Sequence, residues 1–240
     1  MNIKDFSSNL SSNANKLNIG VTDEQIQKFY KYMEMMLEWN EKINLTAITE
    51  PSEVILKHFV DSITINKHIK NNSKMIDVGT GAGFPGIPMS IIREDIDVTL
   101  MDSLNKRIKF LDEVIKENNL NNVKTIHSRA EELANNSKYR EMYDIATSRA
   151  VASLNVLLEY MLPFVKVGGY CICMKGSNVE NEIKEAKKAL EVLKGEIVEV
   201  ENFNLPDTDY GRNIIVIKKV GNTPKKYPRK PGTPAKEPLV

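Results

Sequence analysis

The sequence predicts an α/β fold: a mostly parallel, Rossmann-like sheet of seven strands behind a small N-terminal helical cap. Three observations predict it. From residue 74 onward, short β-branched runs alternate with amphipathic stretches, the rhythm of βαβ units. A glycine-rich loop directly follows the first of these runs. The last two runs are joined by LPDTDYG, too short for a helical crossover, so they pair antiparallel at the sheet edge.

The elements follow in order. Residues 1–21 are rich in Ser and Asn and weakly patterned, which reads as a loose N-terminal arm or a marginal helix. Thr22 followed by Gln25 is a capping-box start. After it Ile26, Phe29, Tyr30, Met33, Met36 and Leu37 recur at helical spacing, with the methionines as core filler. A second helical pattern follows Pro51-Ser52 and runs through Val54, Ile55, His58, Phe59 and Ile63, so residues 22–70 form the cap. The strands are MIDVG (75–79), VTLMD (98–102), VKTIH (123–127), YDIATS (143–148), YCICMKG (170–176), EIVEVENF (196–203) and RNIIVIKK (212–219). NKRIKFLDEVIKENN (105–119) and NEIKEAKKALEVLKG (181–195) supply helices between them, within a main domain of residues 71–220. A mostly parallel sheet that ends in such a hairpin resembles the class I methyltransferase fold.

Composition excludes several classes. The 240 residues are 41% hydrophobic and 27% charged, as in ordinary globular proteins. No apolar run reaches the roughly 18 residues that span a bilayer, and the N-terminus lacks the apolar core of a secretory signal. A cytoplasmic protein without membrane contact is expected. Cys171 and Cys173 lie two apart in one apolar run, spaced too closely to bridge each other and without the second ligand pair of a metal site. They read as core residues, and no metal is expected. Charges nearly cancel, 33 basic against 32 acidic. The end of the chain, however, is basic and proline-rich, with Lys218 and Lys219 followed by a tail (221–240) that suits a polyanion. Lys225, Lys226, Arg229 and Lys230 are its candidate phosphate contacts, and Tyr227 its candidate stacking surface. A solvated, extended terminus is the plainer alternative.

The strongest local signal is Asp77-Val78-Gly79-Thr80-Gly81-Ala82-Gly83-Phe84-Pro85-Gly86, which joins a strand to a helix. Glycines let the chain turn tightly and bring bare backbone to a ligand at the carboxyl ends of the strands. Gly81-x-Gly83-x-x-Gly86 literally matches the dinucleotide fingerprint, so a nicotinamide-dependent oxidoreductase competes. An acid two residues before Gly79 followed by Gly-x-Gly-x-Gly is instead the pattern of methyltransferases. A carboxylate there suits a cationic sulfonium amino acid and opposes a pyrophosphate. Asp102, about twenty residues on, can accept from both ribose hydroxyls, or with Ser103 cap the following helix. Ala130 and Glu131 occupy the place after the third strand where methyltransferases bind adenine, although Glu131 also suits the first turn of a helix. Arg149 ends the fourth strand, where cofactor and substrate meet, and Lys175 ends the fifth. Both are catalytic candidates; a surface arginine is the alternative for Arg149.

Absent motifs narrow the acceptor. Asn-Pro-Pro-Tyr for adenine amines, Pro-Cys for pyrimidine C5 and the Lys-Asp-Lys-Glu set for ribose hydroxyls are all missing. Guanine N7 fits the absences: its in-plane lone pair is free, so methylation needs no general base. Catalysis then rests on alignment, an effect worth up to about 7–11 kcal/mol.

Together these residues resemble the bacterial small-subunit (16S) ribosomal RNA guanine-N7 methyltransferase family (RsmG, or GidB), over nearly the whole chain. The resemblance is carried by Trp39-Asn40-x-x-x-Asn44-Leu45-Thr46, His58-x-x-Asp61-Ser62, DVGTGAGFPGIP, DSLNKR, SRAEE, SRAVASL, MKG and the ending PKKYPRKPGTPAKEPL. It implies S-adenosylmethionine as donor, with contacts at Gly79, Phe84, Ala130, Glu131 and Arg149. It implies small-subunit ribosomal RNA, or the subunit, as partner. His58 and Asp61 receive no role from it, and a histidine on an apolar helix face reads as structural. A non-catalytic RNA-binding assembly factor on the same fold is the remaining alternative.

Overall fold

A computed structural model describes residues 1–149, 151–177 and 179–240. The chain begins with α1 (Ile3–Lys16) and α2 (Asp23–Ile43). A helix with three parts follows: α3 (Pro51–Val54), a wide π-turn (Ile55–Val60) and α4 (Asp61–Ile63). Then come β1 (Lys74–Val78), α5 (Gly86–Ile92), β2 (Asp97–Asp102), α6 (Asn105–Glu117), β3 (Val123–His127) and α7 (Ala130–Leu133). β4 (Tyr143–Arg149), α8 (Leu154–Met161), β5 (Val165–Lys175), α9 (Glu180–Glu185) and α10 (Lys187–Leu193) complete the alternation. β6 (Gly195–Asn204), β7 (Gly211–Lys219) and the short α11 (Thr233–Lys236) end the chain.

The sheet runs β3-β2-β1-β4-β5-β7-β6. β1 to β5 are parallel, and β7 enters antiparallel between β5 and β6. The expected hairpin therefore forms, with its second strand inserted and its first at the edge. Strand order reverses between β1 and β4, which opens a crevice at their carboxyl ends.

Apolar side chains cover both faces. On one, Phe6, Phe29 and Phe59 from the cap join Ile87, Leu100 and Phe110 in a single cluster, so the cap and the sheet share a core. On the other, Leu157, Phe164, Cys171, Cys173, Leu193 and Tyr227 pack together. Both cysteines are buried and free, and burial pushes their thiols up, Cys173 to about 12.

Both chain ends are packed more firmly than expected. Of the two readings of the N-terminus, residues 3–16 take the helix and not the loose arm, and the helix is packed and capped: Asn2 caps it, and Phe6, Leu10 and Ala14, spaced four apart, are buried. The tail is docked along its length. Arg140 donates to the carbonyls of Thr223, Pro224 and Tyr227, at 2.8, 3.4 and 2.9 Å. Arg229 pairs with Glu159 at 2.7 Å, and Glu159 is only 1% exposed. Among the described residues no helix is long and apolar enough to cross a membrane.

Candidate functional site

The glycine loop lies in the crevice, and each glycine answers a different need. Gly81 has φ +62 and open space where a Cβ would be, so its side faces the cleft. Gly83 has φ +105, and a Cβ there would meet Ile87, the Tyr32 hydroxyl and Leu111 at 2.7 to 2.9 Å. Gly86 sits 2.2 Å, at a notional Cβ, from Leu100. The first leaves bare backbone on the cleft; tight packing of helix on sheet explains the other two. The loop is pinned by Gly79 and Thr80, which both donate to the Met101 carbonyl.

Asp77 braces this loop from behind. One carboxylate oxygen accepts from the Thr80 hydroxyl at 2.7 Å and the Gly86 N–H at 2.9 Å. The other is buried with no partner among the described residues. Burial raises its pKa to about 6, against the pull of those two donors. Asp77 does not line the cleft; its observed bonds brace the loop. Asp102 does line it. Its carboxylate accepts from Gly81 N–H (3.0 Å), Leu104 N–H (2.8 Å) and Arg107 (3.2 Å), three of the roughly four bonds a carboxylate can take.

The cleft holds about 1100 Å³. Gly79, Gly81, Phe84, Asp102, Ser103, Arg149 and Lys175 all line it. Gly83 lies behind, and Ala130 and Glu131 start α7 outside the lining. Glu131 accepts the Gly232 N–H of the tail at 2.9 Å, so its carboxylate serves tail docking. Lys175 pairs with Glu182 at 2.7 Å and donates to the Ala152 carbonyl. Its charge is thus held by the protein.

Arg149 ties the strand to the cap. It donates to Asp61 (3.0 Å), to His58 Nδ1 (3.2 Å) and to the Lys57 carbonyl (3.1 Å), which the π-turn re-aims. Its guanidinium also lies 4.8 Å from the Phe84 ring centre. Because an arginine only donates, His58 Nδ1 is the acceptor, and Nε2–H donates to Thr46 Oγ1 at 2.8 Å. Burial, with Arg149 beside it, lowers His58 to about 3, so the imidazole is neutral. Asp61 also accepts from Arg212 at 3.0 Å, which places one carboxylate between two guanidiniums. Sequence reasoning left His58 and Asp61 without a role and missed Thr46, Arg107 and Arg212. The available signal was His58-x-x-Asp61, a spacing that puts both residues on one helix face.

The tail departs from its expected chemistry. Tyr227 is buried in the core cluster and cannot stack on a base; Arg229 is committed to Glu159. Lys219 is fully buried against Leu162, Thr223 and Glu141, and burial lowers its pKa. Lys225, Lys226 and Lys230 stay exposed.

A family model described as rRNA small subunit methyltransferase G matches residues 25–211. Ribosomal RNA small subunit methyltransferase G of Alkaliphilus oremlandii is 53% identical over 241 residues and 100% of both chains. Its counterpart from Acetivibrio thermocellus is 55% identical over 96% of each. Two solved structures share the fold: M. jannaschii TYW2 in complex with AdoMet and a SAM-dependent methyltransferase from Aquifex aeolicus. The first is 19% identical at TM-score 0.52, over 67% of this chain and 77% of that one. The second is 18% identical at TM-score 0.52, over 70% and 94%. The family model decides between the two readings of the glycine loop, against the oxidoreductase. Identity of about half along the full length leaves no other placement: on the fold shared with those methyltransferases, the chain belongs to the rRNA small subunit methyltransferase G family.

Proposed function

We propose that this chain transfers the methyl group of S-adenosylmethionine to N7 of a guanosine in small-subunit ribosomal RNA, acting in the cytoplasm. One observation carries the choice of acceptor. Among the described residues of the cleft, every titratable side chain near the loop is committed. His58 has both nitrogens bonded and stays neutral; Asp61 is shared by two arginines; Asp102 accepts three bonds and keeps only one acceptor position, which faces the place of the sugar; Lys175 and Glu182 hold each other. None is free to take a proton, which suits an acceptor that has none to lose.

The residues fit the cofactor. Open space at Gly81 admits a ligand to bare backbone, Asp102 offers an acceptor for sugar hydroxyls, and Phe84 and Met174 give apolar surface. When bound, S-adenosylmethionine supplies an electrophilic methyl on a sulfonium. The protein's part is to align: Asp102 and Gly81 would hold the nucleoside end, while Phe84, packed against the hydrogen-bonded His58 and Arg149, shapes the wall beside the reacting atoms. Arg149, with its donors engaged, acts by holding that wall. Exposed Lys225, Lys226 and Lys230 suit phosphate contact at a distance.

Labelled methyl transfer to purified small-subunit RNA, to the assembled subunit and to assembly intermediates, followed by nucleoside mapping, tests the reading and identifies the substrate form. 7-Methylguanosine is expected; label on another nucleoside, or none on any form, overturns it.

A further inference from the structure

The lining of the cleft continues beyond the glycine loop to where the cap meets the β6–β7 turn. Lys57, on the π-turn, lines the cleft and carries its ammonium 4.5 Å over the ring of Tyr210. Tyr210 is 44% exposed, although it is a large aromatic residue at a turn tip. Two residues on, Arg212 also lines the cleft. Its Nε donates to Asp61 and Nη1 to the Gly211 carbonyl; Nη2 has no partner among the described residues. Arg149 and Arg212 against the single Asp61 leave one net positive charge among these three groups, with the exposed Asp209 of the turn a negative charge beside Tyr210. Lys57 is partly neutralised by Glu53, at 2.6 Å, and Asp207 in the same turn is paired with Lys16.

We propose that Tyr210 and Arg212 form the docking surface for the RNA strand next to the target guanosine: Tyr210 stacks a neighbouring base, and Arg212, aimed by Asp61, takes a phosphate. This rests on the reading of the chain as an enzyme of ribosomal RNA. Three features favour RNA over a protein or membrane partner. An exposed aromatic face beside cations suits a base stacked next to its own phosphate. Arginine presents a planar fork of donors, and a carboxylate on its Nε edge leaves the other edge aimed outward. Arg212 lines the cleft that must admit a nucleotide, and Tyr210 lies just outside it against Lys57, which also lines it, so a base entering the cleft draws its neighbours across this surface. The buried Tyr227 and paired Arg229 of the tail lack these properties.

Filter binding of small-subunit RNA over a salt series, alongside steady-state methylation and calorimetry with S-adenosylmethionine, tests the surface. Tyr210→Ala should weaken RNA binding and raise the KM for RNA about tenfold. kcat at saturating RNA and cofactor affinity should stay within about twofold, and Tyr210→Phe should bind as the parent does. Arg212→Ala should lower the log-log salt slope by about 0.7. Because Arg212 also pairs with Asp61, Tyr210, whose side chain is exposed, is the variant that decides. If Tyr210→Ala binds RNA like the parent while the parent methylates it, the surface is wrong and the function stands. If Tyr210→Ala loses cofactor affinity in parallel, the residue is structural and the proposal is overturned. A parent that binds RNA through Tyr210 but transfers no methyl would retain the surface and remove the function.

Discussion

The imidazole of His58 lies flat on the ring of Phe84, centroids 4.4 Å apart and planes within 15°. A residue of the cap thus sets the orientation of a residue in the glycine loop. Arg149 lies on the same phenyl ring and bonds the same imidazole, so cap, loop and fourth strand meet at one point.

His58 should not act as a base. With its pKa lowered to about 3, it stays neutral through the physiological range. The pH profile of kcat/KM should show no inflection near 6.5 that His58→Gln removes. Loss of such an inflection in the variant would give His58 a proton-transfer role.

Asp61→Asn leaves two buried-edge guanidiniums facing each other without their shared carboxylate. Breaking such a pair costs about 3–5 kcal/mol. Partial exposure of Arg212 places the expected loss at the lower end, read as a shift in the urea midpoint. A midpoint like the parent's would mean that the ion pairs contribute little.

Gly81 and Gly83 should separate in their effects. Gly81→Val should remove cofactor binding in calorimetry while the protein keeps its circular dichroism, because its side faces the cleft. Gly83→Ala should instead destabilise by about 1–3 kcal/mol, since three side chains crowd the new methyl and φ is positive. Equal affinities for cofactor in Gly81→Val and parent would move the ligand off this loop.

Asp77 and His58 have opposing pH effects. Asp77 holds its proton to about pH 6 in the fold but to about 4 when unfolded, so stability falls as pH rises between these values. His58 refuses a proton that the unfolded chain takes near 6.5, so stability rises from about 3 to 6.5. One proton each, with opposite sign, cancels over the shared interval. Asp77→Asn should therefore gain ~3 kcal/mol more than the parent between pH 4 and 6 in urea melts. Parallel curves would show that Asp77 ionises normally.

Removing residues 222–240 should lower stability before it touches RNA binding, because Tyr227 leaves the core and Glu159 stays buried without Arg229. Thermal melts of Arg229→Ala should show the same direction. An unchanged melting temperature for the truncated chain would make the tail an appendage.

The strands were legible because their cause is local: β-branched runs of the right length between helical periods. The glycine loop and Asp102 were legible for the same reason. What escaped depends on partners far away in the chain. Lys219 and Arg229 look like surface cations until Glu141 and Glu159 meet them, some 70 residues distant in sequence for Arg229. The first helix was legible only as a marginal one, because its polar Ser and Asn positions outnumber the three apolar ones that bury it. Asp77 was legible as a loop residue but not as a buried one, since strand position alone does not tell which way a carboxylate turns.

Arg140 holds the tail by carbonyl oxygens, which every amino acid carries alike. That grip is indifferent to the side chains it passes. Lys225 and Lys226 can therefore be exchanged for other residues without loosening that grip, while the path of the tail across α8 stays constant.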